Sequence, residues 1–355
     1  MKAILREWIY AVTTFVVAFY FYSFIGYKGL EDFIQGGVLK DYFASDIWHI
    51  EIWITSLLLG TLFIFINKIT DRPIFRKRSY GFNIFLKSIL YFVSLIIIGR
   101  LVFYLFELFE LISKEMLEDF LNQTSSKLVF SILLYCGVLI FFMNFMLTIR
   151  KKFGPRSMVH LFTGKYYHPR NEDIVFLFLD LKNSTSIAEK LGHEKYSKFI
   201  KQCVHELTPV IIKNKAIVYQ YVGDEIVLYW PAKEGFKGEK CFKSFFEFCQ
   251  ILSIQKNNFQ SNHGVAPTYK AGMDVGEVTL TEIGDIKREI AFHGDVLNTA
   301  ARLEKKCNDY NEVLLISQYV LDRVQNQHLY DFKYLSELPL KGKTEQLKYY
   351  AVNQK

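Results

Sequence analysis

At 355 residues the chain is long enough for two domains, and its apolar half is concentrated before residue 150. A net charge of +7 would admit a nucleic-acid partner, but the basic residues sit beside apolar runs, which makes them a membrane-topology signal instead. The five cysteines are scattered with no paired spacing, which excludes a disulfide framework and a zinc site and points to reduced thiols in a cytosolic soluble half.

Four apolar stretches, 8–26, 50–67, 84–106 and 128–149, are long enough to cross a bilayer. The first is too long for a signal peptide, lacks a small-residue cleavage site and is bordered by Trp8, Tyr10, Tyr20 and Tyr22, the residues of an interfacial belt. Lys2 and Arg6 precede it, Lys68, Arg72, Arg76, Lys77 and Arg78 lie between the second and third spans, and Arg150, Lys151, Lys152 and Arg156 follow the fourth. The other two connections carry Glu31, Asp32, Asp41 and Asp46, then Glu107, Glu110, Glu115, Glu118 and Asp119. This asymmetry predicts four spans in the inner membrane with both termini cytoplasmic. Lys87 is placed to snorkel, and Glu51 and Arg100 lie towards the outer side, where they can pair. Paired Gly/Pro interruptions, the mark of many transporters, are missing from the spans.

Residues 150–172 read as a coupling linker broken by Gly154-Pro155 and His168-Pro169. The expected organisation is therefore a membrane domain over 1–149, a linker over 150–172 and a soluble domain over 173–355. In the soluble part the patterns predict strand 174–180, helix 185–213, a hairpin of strands 216–222 and 225–230, and helix 236–256. Strands 268–275, 277–283 and 288–293 come next, then helix 295–307, a strand near 313–316, a short helix near 317–324 and strands near 329–338 and 345–352. Recurring hairpins make this an α+β fold with a largely antiparallel sheet.

Four stretches carry candidate chemistry. In FLFLDLKNST, 176–185, an apolar strand ends in Asp180 and leads into a helix start at Ser184 and Thr185, with Ser186 and Glu189 spaced as a capping box. A carboxylate beside a helix N-terminus suits a metal and a phosphate. In YQYVGDEIVLYW, 219–230, Gly223-Asp224 forms a hairpin tip that can hold Asp224 beside Asp180, as two-metal phosphoryl chemistry needs. In FHGDVLNTAARLE, 292–304, Asn298 and Arg302 stand one helical turn apart, an amide and a fixed cation able to meet a phosphoryl group. In LPLKGKTEQLKYYAV, 338–352, Lys341 and Lys343 flank Gly342 in a turn. Taken singly, each motif also fits an ordinary turn or solvated helix face.

Together, in this order and spacing over about 172–352, the motifs resemble the class III adenylate/guanylate cyclases, and the segment from Gly164 to His193 is similar to a bacterial membrane-anchored branch. The resemblance implies a palm-type, ferredoxin-like domain behind an all-α membrane domain of four helices. It implies that Asp180 and Asp224 hold two Mg²⁺ or Mn²⁺ ions per active site, that Asn298 orients the ribose, that Arg302 stabilises charge on the α-phosphoryl group and that Lys341 grips the terminal phosphates. It further implies a homodimer, with the metal aspartates from one chain and Gln220, Ala291, Asn298, Arg302 and Lys341 from the other. Adenylyl cyclases usually carry Lys where this chain has Gln220 and Asp or Thr where it has Ala291; guanylyl cyclases usually carry Glu and often Cys. Gln can meet either purine edge and Ala makes no hydrogen bond, so the base is weakly specified; ATP is the expected substrate and GTP the alternative. The implied partners are nucleotide, membrane lipid and a second copy of the chain, with no nucleic acid. A silent cyclase-like receptor or scaffold is the competing class. A diguanylate cyclase fits poorly, because Val222 and Ile226 replace residues of its GGDEF signature.

Overall fold

Away from water a backbone can satisfy its polar groups within a helix, and the four apolar runs each form one: α1 (Lys2–Ser23), α2 (Ile47–Thr70), α3 (Tyr80–Leu108) and α4 (Ser126–Phe153). The computed structural model describes residues 2–25, 46–70, 79–109, 126–153, 163–286, 288–339 and 346–355, and the chain divides into two units, Met1–Phe162 and Thr163–Lys355. Among the described helices, Ile47–Thr70, Gly81–Leu108 and Phe130–Ile149 are long and apolar enough to cross a membrane. α1 is not one of these. Its 22 residues suffice in length and are as apolar on average as those of α4, so each of the four expected spans falls on an apolar helix.

The four helices pack through small-to-large contacts. A Cβ on Gly60 would fall 2.4 Å from Val12 Cγ2, so α1 and α2 cross closely there. Phe63 packs on Phe15 from one side and Tyr91 from the other, while the Trp8 indole donates to Thr61 and the Tyr135 hydroxyl to the Ala18 carbonyl. Lys87 does not simply snorkel: its ammonium donates to Asn67 Oδ1 at 2.8 Å. Phe85, Ile97, Val138 and Phe141 point outward, as lipid-facing side chains do. Residues 26–45 and 110–125 of the acidic connections, the basic segment 71–78 and the linker motif Gly154-Pro155 lie outside the described residues.

In the second unit the elements are β1 (Arg170–Leu181), α5 (Ser184–Leu191), α6 (His193–Asn214), β2 (Ile217–Val222), β3 (Glu225–Pro231), α7 (Ala232–Phe236), α8 (Lys240–Ile254) and α9 (Lys256–His263). They continue with β4 (Tyr269–Ile283), β5 (Glu289–His293), α10 (Asp295–Tyr310), β6 (Leu314–Ser317), α11 (Gln318–Leu321), β7 (Tyr330–Pro339) and β8 (Gln346–Gln354). The sheet order is β2-β3-β1-β4-β6-β8-β7, with β5 paired to β4. Every pairing is antiparallel except β4 with β6.

The unbroken apolar run of β1 follows from burial on both faces. Val175, Leu177, Leu179 and Leu181 join a core with Phe199, Leu207, Phe245 and Phe248, and Ile174, Phe176 and Phe178 join a second core with Val296 and Ala300. Tyr166, within the segment expected to be linker, packs in that second core and its carbonyl accepts from Glu282 N.

Several boundaries differ from the sequence-based expectation. The helix expected over 185–213 breaks at Gly192, whose φ of 72° ends α5 and starts α6. The helix expected over 236–256 starts after Gly238 (φ 68°), preceded by the short α7 and followed by α9. Strands 268–275 and 277–283 are one strand, because Gly276 makes no turn; a Cβ there would lie 3.0 Å from Val296 Cγ2, so its smallness lets α10 approach. The Ser186/Glu189 capping box does not form: Asn183 is the N-cap, in the left-handed region at φ 58°, which puts Ser186 inside the helix.

α10 rests directly on β4. At Gly272 a Cβ would stand 2.1 Å from the Ala300 carbonyl oxygen and 2.3 Å from Glu304 N, both backbone atoms that cannot swing aside. Next along the same face, Asp274 is buried and accepts from Ser317 Oγ at 2.5 Å. Burial pushes its carboxyl up to about 7; Asp295 adds to the rise, while Ser317 and Arg323 oppose it. Ionising such a group is harder in the folded state, so its destabilising effect grows as pH rises from about 4 to about 7 and is constant above.

Two measurements check this packing. Gly272→Ala is expected to lose about 3 kcal/mol in denaturant unfolding of the detergent-solubilised chain; an unchanged midpoint would contradict the close crossing. Asp274→Asn should flatten the stability decline between pH 4 and 7 and be more stable than wild type at pH 8, by on the order of 2 kcal/mol. Parallel pH–stability curves would refute the assignment.

Candidate active site

Asp180 is the penultimate residue of β1 and lies opposite Lys270 in the β1/β4 ladder. Its carboxylate is partly exposed, at 24 %. Asp224 enters from the tip of the β2/β3 hairpin, a loop of Gly223 and Asp224 closed by the Val222/Glu225 pair, with Gly223 supplying a φ of 62°. Because β3 pairs with β1, the hairpin tip arrives at the end of β1 that carries Asp180. The structure thus brings the two aspartates together: Asp180 is close enough to Asp224 to interact with its carboxyl directly.

The surroundings act on both groups. Burial raises the Asp224 carboxyl above the usual range, the Ser184 hydroxyl hydrogen-bonds to it and works against the rise, and the neighbouring Asp180 adds to it. Glu225 is raised likewise, by burial and then by Asp180. Asp224 Oδ2 is buried with no hydrogen-bond partner among the described residues.

Two adjacent carboxylates, one with an orphaned oxygen, make a donor set that can hold a further cation, and an all-oxygen donor set suits Mg²⁺ or Mn²⁺. Among the described residues no group of three or more His, Cys, Asp or Glu side chains forms a complete cage. That fits a cation held by one or two carboxylates and completed by substrate phosphates and water. The residues present therefore fit a divalent metal.

Ser184 begins α5, half-buried and turned to Asp224, whereas Thr185 is exposed. The first turn of α5 has no side-chain cap, which leaves its amides available beside the aspartates. Gln220 is exposed on β2, immediately after a bulge at Tyr219. Ala291 is half-buried on β5 opposite Thr281. The Tyr219 and Phe292 rings meet at 4.9 Å, although β3, β1 and β4 separate these two strands in the sheet order. Asn298 is exposed and Arg302 half-buried on the side of α10 away from the sheet, while Val296, Thr299, Ala300, Leu303, Glu304 and Cys307 form its buried face. Lys341 lies outside the described residues, as do Gly342 and Lys343.

Three further residues join the site, which the sequence reading did not single out. Lys270 Nζ lies 3.2 Å from Asp180 Oδ2 and also pairs with Glu304 of α10; the lysine and glutamate side chains are only 5 % and 3 % exposed. Tyr196 of α6 hydrogen-bonds to Ser184 near both aspartates, and burial with those charges pushes its hydroxyl up to about 12. The available signal was a lysine two residues before Gly272 in a strand that also carries a buried aspartate, and a glutamate on the buried face of α10.

The model of the adenylate and guanylate cyclase catalytic domain matches residues 166–354, and the chain belongs to that family. It is 30% identical over 203 residues to "Adenylate cyclase 2" of Rhizobium meliloti (strain 1021), covering 57% of this chain and 56% of that protein. It is 23% identical over 188 residues to "Adenylate cyclase, terminal-differentiation specific" of Dictyostelium discoideum, covering 51% of this chain and 9% of that one. The chain thus spans little more than half, or much less, of these relatives. Among solved structures, a bacterial light-regulated adenylyl cyclase shares the fold, with a TM-score of 0.54 at 19% identity over 66% of this chain and 68% of the other.

Proposed function

We propose that the chain is a membrane-anchored adenylate cyclase that converts ATP to 3′,5′-cyclic AMP and pyrophosphate at a site shared between two copies. The observation that carries this reading is the juxtaposition of Asp180 and Asp224, with Asp224 Oδ2 buried and unpartnered. The relatives named as adenylate cyclases support the choice of ATP, as does the lack of a glutamate at position 220.

Asp180 and Asp224 would hold two divalent ions, and Ser184 fixes the Asp224 carboxylate for that task. When bound, the metals supply Lewis-acid activation of the ribose 3′-hydroxyl and charge neutralisation at the triphosphate. The uncapped first turn of α5 presents backbone amides to the phosphates. From the second copy, Asn298 orients the ribose, Arg302 stabilises charge growing on the α-phosphoryl oxygens as the 3′-oxygen attacks in line, and Lys341 grips the terminal phosphates. Gln220 and Ala291 face the base. The outward placement of Asn298 and Arg302 on α10 suits donation to a neighbouring copy. The apolar helices and the flanking basic residues support an inner-membrane anchor with both termini and the catalytic half in the cytoplasm.

Purified full-length protein given ATP or GTP with Mn²⁺ should make cyclic AMP in excess, and Asp180→Ala or Asp224→Ala should lower turnover at least about 1,000-fold while leaving the thermal melt in place. Undiminished product from either variant would overturn the assignment; predominant cyclic GMP would overturn the substrate. The shared site makes a second prediction. Chains carrying Arg302→Ala and Asp180→Ala, each inactive alone, should regain roughly a quarter of wild-type activity when co-expressed, because half the pairs are mixed and each has one intact site. Persistent silence of the mixture would refute the composite site.

A further inference from the structure

The buried lysine beside Asp180 has no part in the mechanism above. It is fixed by architecture. The β1/β4 register sets Lys270 opposite Asp180, and the close crossing at Gly272 delivers Glu304 to the other side of the same ammonium. A lysine this enclosed cannot turn to solvent, so its charge must be balanced by whichever carboxylates face it. Two do: Asp180, partly exposed at the site, and Glu304, buried beneath α10.

A divalent cation arriving at Asp180 meets a carboxylate already engaged by a cation. The ammonium opposes it twice, by occupying Asp180 Oδ2 and by direct repulsion. Glu304 acts in the reverse sense, since it draws the ammonium away from Asp180 and keeps it neutralised when the metal is bound. We propose that Lys270 and Glu304 are positioning residues that set the metal affinity of Asp180, the lysine competing with the cation and the glutamate holding the lysine back. This rests on the reading of Asp180 as a metal ligand. It concerns residues that act through Asp180 and touch neither substrate nor the reacting atoms.

The arrangement differs from a plain structural ion pair in one measurable respect. If the pair only tied α10 to β4, removing either member would disturb the site in the same direction. If it sets metal affinity, the two removals act oppositely. The measurement is Mn²⁺ binding to the full-length protein in detergent without nucleotide, read from the free-Mn²⁺ paramagnetic resonance signal. Lys270→Gln should bind Mn²⁺ about tenfold more tightly than wild type and Glu304→Gln about tenfold more weakly, while Lys270→Arg, which keeps the charge, should stay within about threefold. Shifts of the same sign, or no shift in either, would overturn the proposal. Should Lys270→Gln fail to fold, Glu304→Gln decides alone: tighter or unchanged binding refutes it. Asp180→Asn separates this inference from the functional reading. Wild-type Mn²⁺ affinity in that variant would sink both, and its loss with same-sign shifts elsewhere would sink only the role of the pair.

Discussion

The crossing of α10 over β4 at Gly272 is the constraint from which the catalytic half is built. Only a residue without a side chain lets the helix backbone rest on the strand, within reach of the Ala300 carbonyl and the Glu304 amide. That contact fixes the rotation of α10. It buries Thr299, Ala300, Leu303 and Glu304 against the sheet and leaves Asn298 and Arg302 on the other side. It also decides what flanks it on β4, Lys270 on one side and Asp274 on the other, both forced beneath the helix and both needing partners there.

The site assembles from β-sheet register. β1 runs between β3 and β4, so its end collects a hairpin tip from one neighbour and a lysine from the other. Rigid strands carry Asp180, and a two-residue turn carries Asp224, which leaves the carboxylates little freedom to move apart from each other's charge. Their mutual repulsion and the orphaned oxygen of Asp224 are both features that a bound divalent cation would relieve.

Much of this was legible in the sequence because the signals are local. The apolar run before Asp180, the Gly223-Asp224 turn and the four-residue spacing of Asn298 and Arg302 each report a structure within a dozen residues. Boundaries that depend on a glycine conformation were less legible. Gly192 breaks a helix and Gly276 does not break a strand, and the difference lies in what packs against each: Gly276 meets Val296, while nothing lies within 4 Å of a Cβ at Gly192. The Lys270–Glu304 pair joins residues 34 positions apart and becomes visible only once the helix is docked. The four apolar runs, by contrast, each gave one helix, as a local signal should.

The bulge at Tyr219 bears on how such an enzyme can change over generations. It presents Gln220 at the exposed surface of an outer strand, with its neighbour Tyr219 rather than Gln220 itself wedged against Phe292. Substitutions at 220 therefore disturb the core little, and Ala291 on β5 is small and only half-buried. Gly272, Asp180 and Asp224 have no such latitude. With Gln220 and Ala291 in their proposed place at the base, purine preference is free to drift by neutral steps while the packed residues around Asp180 and Asp224 stay fixed, so lineages sharing this scaffold can exchange one second messenger for another without first surrendering stability.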